Sequence, residues 1–128
     1  MNNRKNTRLS VTRKAKLQLA DGSILCGTTK NLSFSGAYVN IADKITVNPG
    51  DSCSFILILC DEPNLIEIIF KCDIVRVESE GIALQFRYID IGDYQHFKNL
   101  MINACPEPKQ LLEELNAAPG LDVVTKRE

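Results

Sequence analysis

The chain has 128 residues, 45% of them hydrophobic, with a formal net charge of −1, which suits one packed domain and leaves too little chain for two with separate cores. No stretch reaches the roughly 18 apolar residues that a membrane span needs, and the start Met1-Asn2-Asn3-Arg4-Lys5 lacks the apolar run of a secretory leader, so a cytoplasmic protein without membrane insertion is expected. The five cysteines, Cys26, Cys53, Cys60, Cys72 and Cys105, form no CxxC pair and cannot close into a complete disulfide set, so thiols packed as small apolar groups are expected in place of a metal site or a catalytic cysteine.

Residues 1–10 hold Arg4, Lys5 and Arg8 with four Asn or Thr groups, and Leu9 is their one well-placed apolar anchor. Such a segment cannot bury enough surface to offset its ordering entropy, so a flexible arm is expected. Residues 1–16 carry six basic side chains and no acid, which leaves the rest of the chain net acidic. A basic arm on an acidic body suits a small anionic ligand or a phosphate backbone, and equally a solvated terminus.

From Val11 the chain alternates, with Ala15, Leu17 and Leu19 on one face and Lys14, Lys16 and Gln18 on the other, the period of a half-buried strand. Asp21-Gly22 tolerates positive φ and turns the chain into a second strand through Ile24, Cys26 and Thr28. After a polar turn beginning at Asn31, a third strand follows Gly36 through Tyr38 and Ile41. Asn48-Pro49-Gly50 leads into a fourth over 52–60, whose run Phe55-Ile56-Leu57-Ile58-Leu59 reads as buried on both faces or lying at a barrel closure. Asp61-Glu62-Pro63-Asn64 breaks it. A fifth strand, 65–77, places Ile66, Ile68, Phe70 and Cys72 on one face and then shifts phase to Val75 and Val77, which a bulge near Asp73 would explain. Glu78-Ser79-Glu80-Gly81 turns into a sixth, 82–88.

Six short strands without a crossover helix among them indicate an all-β antiparallel barrel or sandwich, and closure into a barrel would remove the edges. Asp90 can then cap a helix in which Tyr94, Phe97, Met101 and Ala104 recur as an apolar stripe, ended by Pro106. A short second helix over 109–118, with Leu111, Leu112 and Leu115 on one side, precedes Pro119-Gly120 and a charged tail. The expected division is an arm over 1–10, a barrel with its helix over 11–105, and a helical extension and tail over 106–128.

Two patterns carry chemistry. Arg4 and Arg8 offer planar guanidinium forks that bond phosphate oxygens or the O6/N7 edge of guanine in pairs and stack on a purine, which lysine cannot do. In Asn31-Leu32-Ser33-Phe34-Ser35-Gly36, Asn31 can present an amide to a base edge and Ser33 a hydroxyl to phosphate or base, while Gly36 permits close backbone approach or positive φ. Either pattern alone is ordinary: two arginines four apart arise by chance, and Asn, Ser and Gly dominate turns for reasons unrelated to ligands. The inference rests on their combination.

In this order and on this strand framework, the two patterns resemble the PilZ domain, a bacterial receptor for the second messenger cyclic di-GMP, whose signature is RxxxR followed by (D/N)xSxxG. Arg4 and Arg8, then Asn31, Ser33 and Gly36, fill all five signature positions, and Asp73-Ile74-Val75-Arg76-Val77 and Gly81-Ile82-Ala83-Leu84-Gln85-Phe86 look like the end of the domain. The resemblance covers roughly 4–104. One departure is Ala83, where many relatives carry a second glycine, and in the chain it lies away from both motifs. The resemblance implies a six-stranded antiparallel barrel with a helix against it, and a ligand on the outer barrel surface covered by the arm. Arg4 and Arg8 would contact guanine and phosphate, Asn31 and Ser33 would hydrogen-bond the ligand, and Gly36 would hold the turn open. It further implies cyclic di-GMP as ligand with no cofactor, and a downstream protein, such as motility, pilus or polysaccharide machinery, reached by contact.

Three rivals are weighed against it. Catalysis finds little support, because the sole histidine, His96, falls on the expected helix and Asp61-Glu62 and Glu113-Glu114 are adjacent acids in polar segments. Single-stranded nucleic-acid binding needs aromatic platforms, and with no Trp and with Phe55, Phe70 and Phe86 at inward positions few aromatics remain, so neither DNA nor RNA is expected as a partner. A PilZ-like interaction module without nucleotide binding is the third, and the intact arginines argue against it.

Overall fold

The alternation after Val11 forms strand β1 (Lys14–Leu19), with Ala15, Leu17 and Leu19 directed inward, in a computed structural model that describes residues 9–42, 45, 47–60, 65–105, 109, 113 and 122–124. Arg4 and Arg8 lie outside these residues, as do Asp61-Glu62-Pro63-Asn64, Pro106 and all of 109–118 except Lys109 and Glu113. The remaining strands are β2 (Ile24–Leu32), β3 (Gly36–Ile41), β4 (Ser52–Cys60), β5 (Ile66–Val77) and β6 (Gly81–Asp90), followed by helix α1 (Ile91–Ala104) and a short strand β7 (Asp122–Val124). Neighbours run β3-β2-β1-β4-β5-β6, every pair antiparallel, and β3 pairs with β6 to close a six-stranded barrel, which decides between the barrel and the sandwich that the strand pattern allowed and agrees with the family resemblance.

All five phenylalanines lie in the core. Phe70 and Phe86 stack with ring centroids 4.2 Å apart, and Phe97 of α1 meets Phe34, Phe70 and Phe86 edge-on at 5.4, 4.9 and 5.8 Å. These offset and edge-to-face arrangements suit the ring quadrupole, so the helix closes the barrel end by inserting Phe97 with Met101 beside it. Truncating Phe97 would cost about 3–5 kcal/mol.

Two of the register shifts re-aim side chains, beside the polar turn that begins at Asn31 and at the end of β5. Between Thr29 and Asn31 the pairing of β2 with β3 slips by one residue, so Lys30 is extra. Leu25 and Thr29 face inward, and after the slip Leu32 does, which leaves Asn31 on the outer side. On β5 the extra residue against β6 is Val75, between Ile74 and Arg76. The expected phase shift is real: the pairing with β6 slips at Val75, two residues past Asp73, and again between Lys71 and Cys72; Ile74, 1% exposed, continues the inward set, whereas Val75, expected on the apolar face, is 51% exposed.

Other expectations are corrected. In β2 the residues Ile24 and Cys26 are exposed, and Leu25 with Thr29 supplies the inward face. In β4 the apolar run does not bury both faces equally, since Phe55 and Leu57 are fully buried while Ile56 and Ile58 are half-buried. Cys53 and Cys72 do pack as buried apolar groups, and burial pushes the Cys53 thiol up to about 11. Asp90 stands at the start of α1 in extended conformation but makes no side-chain capping bond. Ala104 is exposed, so the buried stripe of α1 is Phe97 and Met101. The tail contributes β7, parallel to β6 through Tyr88, Ile89 and Asp90, on a stretch of β6 that runs past the expected end at 88. No helix among the described residues is long and apolar enough to cross a membrane.

Candidate functional site

The described segment before β1, from Leu9, is stitched to β2. Leu9 and Leu32 exchange backbone hydrogen bonds of 2.7 and 2.9 Å. Further along, the buried Thr29 hydroxyl donates to the Val11 carbonyl and accepts from the Arg13 N–H at 2.9 Å, which satisfies a polar group that burial would otherwise penalise. Residue 9, the first one described, therefore sits beside the segment that begins at Asn31.

That segment is a turn closed by its own serine. The Ser33 N–H donates to the Gly36 carbonyl at 2.9 Å, and the Ser33 hydroxyl oxygen accepts from the N–H groups of Ser35 and Gly36 at 3.2 and 3.1 Å. Phe34, fully buried against Phe97, pins the turn from beneath. Gly36 has no positive φ; a Cβ there would lie 2.2 Å from the Leu84 carbonyl oxygen, so glycine is required by the close approach of β6.

The opposite wall comes from the end of β5. Past the bulge at Val75, Arg76 and Glu78 share the outer side. Arg76 Nε donates to Glu78 Oε2 at 2.6 Å, and the Tyr38 hydroxyl donates to Glu78 Oε1 at 2.8 Å. The bonds from Arg76 and Tyr38 hold the Glu78 carboxyl below the usual carboxylate range, whereas burial, reinforced by Glu78, raises the Tyr38 hydroxyl. Lys30 Nζ lies 5.6 Å from the Tyr38 ring centroid, a cation–π contact.

Between these walls is a cleft of about 470 Å³ on the outer barrel surface, with Ala83, Leu84 and Gln85 of β6 along it. Asn31, Ser33 and Gly36 all line it, so the structure brings three of the five expected site residues together. The other two, Arg4 and Arg8, fall outside the described residues. Ser33 differs from expectation in that it is only 6% exposed and its hydroxyl oxygen is engaged within the turn. Ala83, remote from the motifs in the chain, lies in the same cleft opposite Tyr38. Sequence reading passed over Lys30, Tyr38, Arg76 and Glu78; the i, i+2 spacing of Arg76 and Glu78 was a visible sign of a shared strand face, but the closure that carries them to the turn was not. Among the described residues the cleft presents two cations, Lys30 and Arg76, against one carboxylate, Glu78, a balance that suits an anionic ligand. His96 is exposed on α1, away from these walls.

The family model for the PilZ domain matches residues 2–103. No curated protein sequence matches the chain. Among solved structures, the Bacillus subtilis inhibitor of motility, MotI/DgrA, is similar at 20% identity and a TM-score of 0.66 over 88% of this chain and 54% of that one. The PilZ domain of CeSA from a cellulose-synthesizing bacterium is similar at 22% identity and a TM-score of 0.56, over 77% and 94% of the two chains. The PilZ domain of YcgR from Escherichia coli, solved with c-di-GMP, is similar at 13% identity and a TM-score of 0.54, over 89% and 88%. These likenesses establish a common fold, and the chain spans 54% of the length of the motility inhibitor.

Proposed function

The chain belongs to the PilZ domain family, whose members are binding and regulatory modules, and from that premise we propose that it is a receptor for cyclic di-GMP. The observation that carries this reading is the convergence of Asn31, Ser33 and Gly36 on one cleft, with Leu9 hydrogen-bonded to Leu32 in the middle of the motif. Arg8 is bonded to Leu9, and Arg4 is four residues further on, within reach of roughly 14 Å. In this reading the two guanidinium groups clamp phosphate and a guanine edge, Asn31 bonds the base, and Ser33 with Gly36 keeps the turn in shape. Binding orders the arm over the ligand, and the covered surface is what a downstream protein reads, a population shift driven by contacts made in one state alone.

Isothermal calorimetry with the purified chain tests this. Cyclic di-GMP should bind in the low micromolar range or tighter, about −8 kcal/mol or more favourable. Absence of heat at ligand concentrations of order 100 µM sinks the reading. Amide hydrogen exchange tests the switch separately: it requires new protection at 4–10 together with 31–36, and protection confined to the turn excludes it.

A further inference from the structure

Glu78 is the one carboxylate among the described residues that line the cleft. A negative group beside a dianionic phosphate ligand is a like-charge cost, and it is tolerable where the carboxylate bonds a different part of that ligand. We propose that Glu78 reads the Watson–Crick edge of a guanine, its two oxygens accepting from N1–H and the N2 amino group, with Tyr38 and Arg76 as positioning residues that fix the carboxylate. This rests on the cyclic di-GMP reading and adds a source of base specificity to it.

The chemistry fits the geometry. Oε1 receives the Tyr38 hydroxyl at 2.8 Å and Oε2 the Arg76 Nε at 2.6 Å, so each oxygen is held by one bond. A carboxylate oxygen has two lone pairs, which leaves each with an acceptor site, and the Glu78 side chain is 42% exposed. Two parallel acceptors in a fixed plane match two parallel donors, an arrangement that gives direction as well as energy. Guanine has that donor pair. Adenine presents an acceptor at N1, which would face a carboxylate lone pair, and hypoxanthine keeps N1–H but lacks the N2 amino group. Asn31 cannot supply the same match, because its amide has a single acceptor oxygen. Lys30 and Arg76 on the same cleft offset the charge that Glu78 adds, so the carboxylate need not repel the ligand as a whole.

The bland account makes Glu78 a counter-ion that merely holds Arg76. Calorimetry on the full chain with cyclic di-GMP and its inosine counterpart separates the two accounts. Glu78→Gln keeps the size but points an N–H₂ at one of the guanine donors. It should weaken cyclic di-GMP binding about tenfold or more and weaken the inosine ligand by less than about threefold. Tyr38→Phe, which leaves the carboxylate but frees Oε1, should give a smaller loss with the same preference. If Glu78→Gln does not fold by urea titration, Tyr38→Phe carries the test on the same ligand pair. Equal losses for both ligands, a gain for both, or no change for either overturns the inference while leaving the receptor reading in place. An unmutated chain that gives no heat with cyclic di-GMP overturns the receptor reading, and this inference with it.

Discussion

Two of the polar turns with glycine, Asp21-Gly22 between β1 and β2 and Ser33 to Gly36 between β2 and β3, owe their glycines to different physics. In the first, Gly22 has φ +92° with nothing near its Cβ position, and the exposed Asp21 carboxylate accepts from the Ser23 N–H at 2.8 Å. That glycine serves backbone conformation, and the turn ends in solvent. In the second, Gly36 has ordinary φ but no room beside the Leu84 carbonyl, Phe34 is sunk in the core, and the outer side lines a cleft. A turn that only reverses the chain is satisfied locally, whereas a turn that forms part of a site is fixed by partners far away in sequence.

The largest effect that separates them is steric. Gly36→Ala must push β3 from β6 at the barrel closure, which should destabilise the chain by about 3 kcal/mol. Gly22→Ala has open space and carries only left-handed strain of about 1 kcal/mol. Urea unfolding of the two variants measures the difference, and equal midpoints would remove the distinction between a contact glycine and a conformational one.

Next comes the proposed arm, which would lead from Leu9 beside the second turn. Arg8→Ala should cost about 1–3 kcal/mol in cyclic di-GMP affinity, or about 5- to 150-fold, because a bidentate contact is lost. The urea midpoint should not move, since the Leu9–Leu32 backbone pair is untouched by the substitution. Calorimetry and unfolding on one preparation check both halves, and a variant that binds normally gives Arg8 another role.

The same contrast marks what could be read from the sequence. Strand periodicity left barrel and sandwich open but marked the six strands, because a residue's inward or outward place depends on its neighbours: Ala15, Leu17 and Leu19, or Ile68, Phe70 and Cys72, announce themselves. Bulges do not. Lys30 and Val75 shift the phase of β2 and β5, and these shifts turn Asn31 and Arg76 outward, but nothing local to either residue marks it as the extra one. Asn31, Ser33 and Gly36 were legible as one turn, yet the need for glycine at 36 depends on Leu84 and the placement of Glu78 on Tyr38, both reached through closure. β7 escaped notice for a similar reason: three residues show no period, and their partner is the far end of β6.

A smaller effect divides the second turn within itself. Ser33→Ala removes the acceptor of the Ser35 and Gly36 N–H groups and should cost about 1–2 kcal/mol of stability, weakening cyclic di-GMP and cyclic di-AMP alike. Asn31, half-buried on the cleft, has no such part in closing the turn. Asn31→Ala should leave stability nearly unchanged and narrow the affinity gap between the two dinucleotides, because a missing edge contact penalises the right base most. Paired titrations of each variant with both ligands make the comparison, and equal loss for both ligands in Asn31→Ala contradicts base reading by that residue.

The smallest effect is the response to acid. The Ser23 backbone bond holds the Asp21 carboxyl below its usual value of 3.8, so the first turn gains from ionisation. A lowered folded pKa means that this contribution is present above the unfolded value, about pH 4, and is lost as the pH falls through the folded one. The Ser33 turn is closed by a hydroxyl and backbone groups that do not titrate in that range. Amide resonances followed from about pH 5 to about pH 2 should therefore show Ser23 losing its hydrogen-bonded shift while Ser35 and Gly36 keep theirs. Asp21 is fully exposed, so the change should stay local and leave the global midpoint where it was. If Ser35 and Gly36 respond in the same window as Ser23, the second turn depends on a carboxylate after all, and Glu78, also held low on the facing wall, is the group to test by Glu78→Gln.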